Sequence, residues 1–128
     1  MTSGILVDTS VWIAHFKRGN NGLAHLLNHD LVLMHPMVVG EIACGTPPAP
    51  RGETLRDLGL LPTVQLVGMH EAMAFIERES LYGLGCGLVD IMLLASTLLT
   101  PGARLWTLDR RLDQLADRFG IAHRLAAH

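Results

Sequence analysis

The sequence predicts an α/β domain built as a parallel sheet with helices on both faces, a three-layer sandwich. Two observations carry that reading. Short apolar runs that read as buried strands alternate along the chain with longer segments of helical periodicity. The 128 residues contain no internal repeat, low-complexity tract or linker, so residues 1–128 are expected to form a single domain.

Each element has its own local reason. Gly4 to Asp8 is an apolar run closed by an acid and predicts the first strand. Thr9 and Ser10 are suited to cap a helix over Val11 to Lys17, which Asn20, Asn21 and Gly22 interrupt. Leu23, Leu26 and Leu27 mark a short second helix, and Leu31 to Met34 a buried strand. Pro36 suits the first turn of a helix reaching Cys44 and ended by Gly45. Thr46 to Gly52, with three prolines, is a loop, and Glu53 to Leu61 a helix. Val64 to Val67 predicts a brief strand, and His70 to Tyr82 an amphipathic helix with its acids outward. Gly83, Gly85 and Gly87 make a flexible connection into an apolar helix, Leu88 to Leu99, stopped by Pro101 and Gly102. Arg104 to Leu108 predicts a strand, Asp109 to Phe119 a helix ended by Gly120, and Ile121 to Leu125 a last edge strand.

Composition limits what the chain can do. Hydrophobic residues make up 49% but aromatics only 5%, so Leu, Val, Ile, Ala and Met must fill the core, with Trp12 and Trp106 packed into it. The net charge of −2 supplies no global basic field, so any nucleic-acid contact must come from a local patch. Cys44 and Cys86 form no CxxC pair, which argues against a disulfide framework or a zinc site. The N-terminus lacks the form of a signal peptide, and the apolar run Ile91 to Leu99 is too short to span a bilayer. A soluble cytoplasmic protein with no membrane association is expected.

Four acids stand on apolar segments. Asp8 closes Gly-Ile-Leu-Val, Glu41 lies within Met-Val-Val-Gly-Glu-Ile-Ala, Asp90 opens Val-Asp-Ile-Met-Leu-Leu-Ala, and Asp109 follows Leu-Trp-Thr-Leu. Buried carboxylates need partners, and one hard divalent cation bound through oxygen would serve all four. Capping and the helix dipole explain Asp8, Asp90 and Asp109 singly. They do not explain Glu41, which is mid-helix, and its apolar neighbours predict an inward position. Ligands of open parallel sheets bind beyond the carboxyl ends of the strands, where Asp8 and Asp109 converge if their strands are neighbours. Four carboxylates with Mg²⁺ or Mn²⁺ suit phosphoryl transfer. Asp8 and Asp90 would be principal ligands, with Glu41 and Asp109 completing the cluster or orienting water. Thr107, two residues before Asp109, is placed either to orient a carboxylate or water or to be an ordinary strand residue.

These residues resemble a known family. Leu-Val-Asp-Thr-Ser-Val-Trp-Ile at 6–13 is similar to the opening motif of PIN-domain ribonucleases, and more narrowly of VapC toxins of bacterial toxin–antitoxin pairs. Val-Val-Gly-Glu-Ile-Ala at 38–43, Gly-Leu-Val-Asp-Ile-Met-Leu-Leu-Ala at 87–95 and Leu-Trp-Thr-Leu-Asp-Arg-Arg-Leu at 105–112 resemble the later acidic motifs, in order. The resemblance implies a PIN-like α/β/α sandwich with a mostly parallel sheet. It also implies a Mg²⁺- or Mn²⁺-dependent endoribonuclease acting on RNA, a homodimer, and inhibition by a small antitoxin lying across the active-site groove. The family's acidic positions fall on Asp8, Glu41, Asp90 and Asp109, and its hydroxyl after the first acid on Thr9 or Ser10. Asp113, one turn beyond Asp109, is expected to be a surface residue, paired with Arg110 or with neighbours of Asp117.

Other residues carry weaker signals. The seven histidines are expected to be mostly surface residues, and His15 lies on the first helix near Asp8. Arg110 and Arg111, beside Asp109, read either as a solvated helix face or as contacts to RNA phosphate, and Lys17 and Arg18 would extend the same rim. The alternative is a non-catalytic PIN-like or receiver-like binding module. A receiver needs paired acids on the first strand and a lysine at the end of the last; Asp8 stands alone and Lys17 is the only lysine. A phosphatase of the haloacid-dehalogenase type needs an Asp-x-Asp start, and Ser10 occupies the second acid's place.

Overall fold

The structure is a computed structural model that describes residues 4–124. Among them, three strands are joined in one parallel sheet: β1 (Ile5–Val7), β2 (Val32–Leu33) and β3 (Arg104–Trp106), in the order β2-β1-β3. Ile5 is in register with Val32 on one side and Arg104 on the other, and Val7 with Trp106. Successive side chains of a strand point to opposite faces. Ile5, Leu6 and Val7 are all buried, so the sheet is covered on both sides.

Seven helices surround the strands: α1 (Thr9–Arg18), α2 (Asn21–Asn28), α3 (Pro36–Ala43), α4 (Arg51–Gly59), α5 (Met69–Glu79), α6 (Leu88–Leu99) and α7 (Arg110–Arg118). Their ends follow local chemistry. Asn20 accepts from the Leu23 N–H to start α2. His35 caps α3 through Nδ1, which accepts from Met37 N–H, with Pro36 at the first helical position. Glu71 reaches back to the Gly68 N–H to start α5, and Ser80, in the left-handed conformation at φ 54°, stops it. Ile91 to Thr97 are buried without interruption, which makes α6 the central helix of the domain. Trp12 and Trp106 join the same core, as the sequence predicts.

Two predicted strands are reduced to single bridges. Val64 to Val67 forms no strand: Met34 pairs once with Thr63, through Met34 N–H to Pro62 O and Val64 N–H to Met34 O. The next donors turn to the central helix instead, Gln65 N–H to Thr100 Oγ1 and Val67 N–H to Ser96 Oγ. With those donors spent on hydroxyls, no ladder can propagate. The expected edge strand over Ile121 to Leu125 is likewise one bridge, Leu105 with Ala122. Leu125 lies outside the described residues.

Candidate active site

With β1 and β3 adjacent, the condition for convergence of their acids is met. Asp8 directly follows β1, and its N–H still donates to Trp106 O on β3 at 2.8 Å. The strand order changes direction at β1, with β2 on one flank and β3 on the other, so Asp8 stands at the point where an open parallel sheet forms its crevice.

Asp8 is buried, 6% exposed, and held by two hydroxyls. Ser10 Oγ and Thr107 Oγ1 each donate to its Oδ2 at 2.7 Å. The same hydroxyls accept in turn from Leu108 N–H and Asp109 N–H, both at 3.0 Å. Thr107 therefore orients a carboxylate. The sequence expectation that Thr9 and Ser10 cap α1 is corrected: Asp8 occupies the N-cap and makes no side-chain cap bond, and both hydroxyls are turned to carboxylates. Thr9 Oγ1 donates to Glu41 Oε1 at 2.6 Å and so links α1 to α3.

Glu41 corrects a second expectation. It is solvent-exposed, because the apolar side of α3 is carried by Val38 and Ile42, which are buried on the adjoining face. It joins the site from the solvent side, held by Thr9. Asp90, in the first turn of α6, accepts from Gly87 N–H through Oδ2 at 3.3 Å. Asp109 is the N-cap of α7 and accepts from Leu112 N–H through Oδ1 at 2.9 Å. Capping and membership of the cluster are thus compatible in one residue.

The four acids share one electrostatic environment. Burial raises the Asp90 carboxyl above the ordinary carboxylate range; the Gly87 N–H pulls it back, and Asp8, Asp109 and Glu41 push it further up. Each of the four carboxylates is tethered through one oxygen only. Among the described residues no hydrogen bond reaches Asp8 Oδ1, Glu41 Oε2, Asp90 Oδ1 or Asp109 Oδ2. The donor set is all oxygen and anionic, which fits a hard divalent cation. No three of the described His, Cys, Asp and Glu side chains stand close enough to hold an ion between them unaided.

The remaining candidates separate by position. Arg110 and Arg111 fall in the first turn of α7, next to Asp109. Lys17 and Arg18 end α1, roughly 14–15 Å along the helix from Asp8 at about 1.5 Å per residue, where they complement the helix dipole. His15 Nδ1 accepts from Asn20 N–H and so serves the turn after α1. Asp113 is a surface residue as expected, but its partner is Arg124, at 2.5 Å. Cys86 carried no functional signal in the sequence, yet it lies beside the site. Burial raises its thiol pKa, Asp90 and Asp109 add to the rise, and Arg111 opposes it. An apolar hollow of about 390 Å³ between α5 and α6, lined in part by Val67, Phe75, Leu98 and Leu99, contains none of the four acids.

A parallel α/β domain with four acids gathered at the carboxyl ends of β1 and β3 and at the starts or flanks of the neighbouring helices defines the class, and the comparisons agree: the chain belongs to the PIN-domain family, whose model matches residues 5–118. Among curated relatives it is similar to ribonuclease VapC32 of Mycobacterium tuberculosis, from strains CDC 1551 / Oshkosh and ATCC 25618 / H37Rv. Each is 41% identical over 118 residues, covering 92% of this chain and 94% of the relative.

Proposed function

We propose that this chain is a divalent-metal-dependent endoribonuclease and the toxin of a toxin–antitoxin pair. One observation carries the reading: four carboxylates from four separate segments, each tethered through one oxygen and open at the other. The relatives named ribonuclease support RNA as the substrate. Mg²⁺ or Mn²⁺ would be held by Asp8 and Asp90, with Glu41 and Asp109 completing the shell or orienting water. Bound there, the ion supplies Lewis-acid polarisation of the scissile phosphate and a more acidic attacking water. The chain's own part is positional. Ser10 and Thr107 fix the Asp8 carboxylate from behind, so that Oδ1 faces the reacting groups with little freedom. Thr9 does the same for Glu41.

The reading extends to partners. A small antitoxin would lay a segment across the groove. The toxin would pair as a homodimer, for which the exposed Leu98 and Leu99 beside the α5–α6 hollow offer an apolar contact. Cytoplasmic residence follows from an RNA substrate, and no helix among the described residues is long and apolar enough to cross a membrane.

The test is cleavage of RNA by the purified chain with Mg²⁺ or Mn²⁺, beside an EDTA control and the Asp8→Asn and Asp90→Asn variants. Cleavage is expected only for the native chain with metal. Equal cleavage in every tube, or none with any RNA tried, refutes the proposal.

A further inference from the structure

Resting on the ribonuclease reading, we propose that Arg111 is a substrate-binding residue that grips an RNA phosphate at the edge of the carboxylate cluster, seated on a glycine that leaves room for it. The seat is Gly85. A Cβ built there would lie 2.6 Å from Arg111 Nη1, 2.7 Å from its Cδ and 2.8 Å from its Cζ. The side chain of Arg111 therefore lies flat across the Gly83–Gly87 loop, in the space a side chain at position 85 would fill. Gly85 also has φ +88°, so the backbone itself favours glycine there, and the guanidinium occupies the space this leaves.

The position of Arg111 is electrostatically unfavourable for a merely structural residue. It is the second residue of α7, at the helix end where the dipole favours anions and disfavours cations. Among the described residues three arginines are neutralised by carboxylates, Arg78 by Glu79, Arg118 by Glu79, and Arg124 by Asp113 and Asp117, whereas Arg18, Arg51, Arg56, Arg104 and Arg110 make no such pair, so it is the seat on Gly85 that sets Arg111 apart. Arg111 makes no salt bridge and no hydrogen bond among the described residues. Its guanidinium lies against Gly85, two residues before the Gly87 whose N–H holds Asp90, and its backbone is two residues past Asp109, so it stands at the edge that these two carboxylates share. An unpaired planar fork beside an anionic site is suited to a phosphate, which it can grip through two N–H groups. Lys17 and Arg18 sit at the far end of α1 and lack this relation.

Binding separates this proposal from the chemistry. A fluorescein-labelled single-stranded RNA is titrated with the native chain and with Arg111→Met in EDTA, at several salt concentrations. Loss of a charge-assisted contact predicts binding on the order of tenfold weaker. The slope of log affinity against log salt should fall by about 0.7, the value for one phosphate contact on a single strand. Gly85→Ala, by displacing the guanidinium, should move both readouts in the same direction. Arg111→Lys, which keeps the charge but not the fork, should recover part of the affinity, and Arg78→Met should match the native chain. Equal affinity and salt slope for Arg111→Met and native chain overturns the phosphate grip while leaving the ribonuclease reading intact. An equal loss in Arg78→Met also overturns it, since net charge alone would then explain the effect. No RNA binding by the native chain at any salt overturns the grip, whereas the ribonuclease reading stands or falls with the cleavage assay in Mg²⁺ or Mn²⁺.

Discussion

Thr107→Val tests whether the position of Asp8 is held by hydroxyls, as the structure implies. The substitution keeps the branched shape of a residue that is 6% exposed and deletes one oxygen. That oxygen serves two bonds, a donated one of 2.7 Å to Asp8 Oδ2 and an accepted one of 3.0 Å from Asp109 N–H. A hydrogen bond to a charged group contributes about 1.5–3 kcal/mol, and Ser10 still holds the same oxygen, so the lower end applies. Asp109 is exposed, and water can replace the acceptor its N–H loses. The expected loss is therefore about 2 kcal/mol, or roughly 6–10 °C in melting temperature for a chain of this size. If Asp8 holds the metal as proposed, a hydroxyl that orients it should carry about 10–100-fold of activity or metal affinity. The assays are a urea titration and an RNA-cleavage series against Mg²⁺ concentration. Ser10→Ala combined with Thr107→Val should cost more than the sum of the two, because a nearly buried carboxylate then has nothing on Oδ2. Native cleavage at the native Mg²⁺ midpoint in Thr107→Val would refute the clamp; additive single effects would refute the shared-oxygen geometry.

Other outcomes follow from individual residues. Glu41→Gln should abolish cleavage while changing unfolding free energy by no more than about 0.5 kcal/mol, since the side chain is exposed; a large stability change in urea would contradict that placement. Leu93→Ala, in the middle of α6 and fully buried, should cost about 2–5 kcal/mol in the same titration, with the loss increasing with the cavity left behind. Acid should weaken the fold through His35. Burial lowers its pKa below the ordinary value of 6.5, and its Nδ1 must stay unprotonated to accept from Met37. The contribution is complete above about pH 6.5 and is lost as the pH falls towards the depressed folded value. His35→Asn keeps a capping side chain without the titration, so its unfolding free energy should change less between pH 7.5 and 5.5 than that of the native chain; His123, lowered by burial and by Arg104 and Arg124, supplies a remaining slope of the same sign.

The parts of the fold legible in the sequence are those decided by one segment alone. β1 follows from a short apolar run, α6 from a long, mainly apolar one and α7 from the amphipathic spacing of Leu112, Leu115 and Ala116, with stop signals at Pro101, Gly102 and Gly120, and the observed spans agree to within a residue or two. The two strands that shrank to bridges depended on distant partners. Val64 to Val67 has strand composition, but its donors are claimed by Ser96 and Thr100, some thirty residues away, which no local pattern reveals. The acidic positions were legible because apolar context makes a carboxylate conspicuous. Their tethers were legible only in part: Thr9, Ser10 and Thr107 stand near the acids in sequence, but which hydroxyl holds which oxygen depends on the β1–β3 pairing. Glu41 was placed inward because its neighbours are apolar, although on a helix of eight residues one narrow face can remain outside. The relation of Arg111 to Gly85 is a contact across 26 positions, without any sequence periodicity to announce it.

These features answer a single electrostatic difficulty. A site that brings four carboxylates together repels its own members, and at Asp90 that repulsion adds to burial, the larger cause, in raising the carboxyl pKa. It would also repel a polyanionic substrate. The fold limits the first problem by committing one oxygen of each acid to a backbone N–H or a hydroxyl, which fixes the carboxylates at small energetic expense and leaves the second oxygen of each for a cation. The second problem requires positive charge that appears with the substrate or stands ready for it. On the proposed function a divalent ion would supply the former, and Arg111, laid over Gly85 at the rim, would supply the latter. With a net charge of −2, the chain has no global basic field to draw RNA from a distance, so on the proposed function attraction must be concentrated close to the carboxylates. Selectivity would then rest on which RNA segments can bring a phosphate to the arginine and another to the carboxylates at the same time, a geometric demand that a flexible single strand meets more readily than a regular duplex.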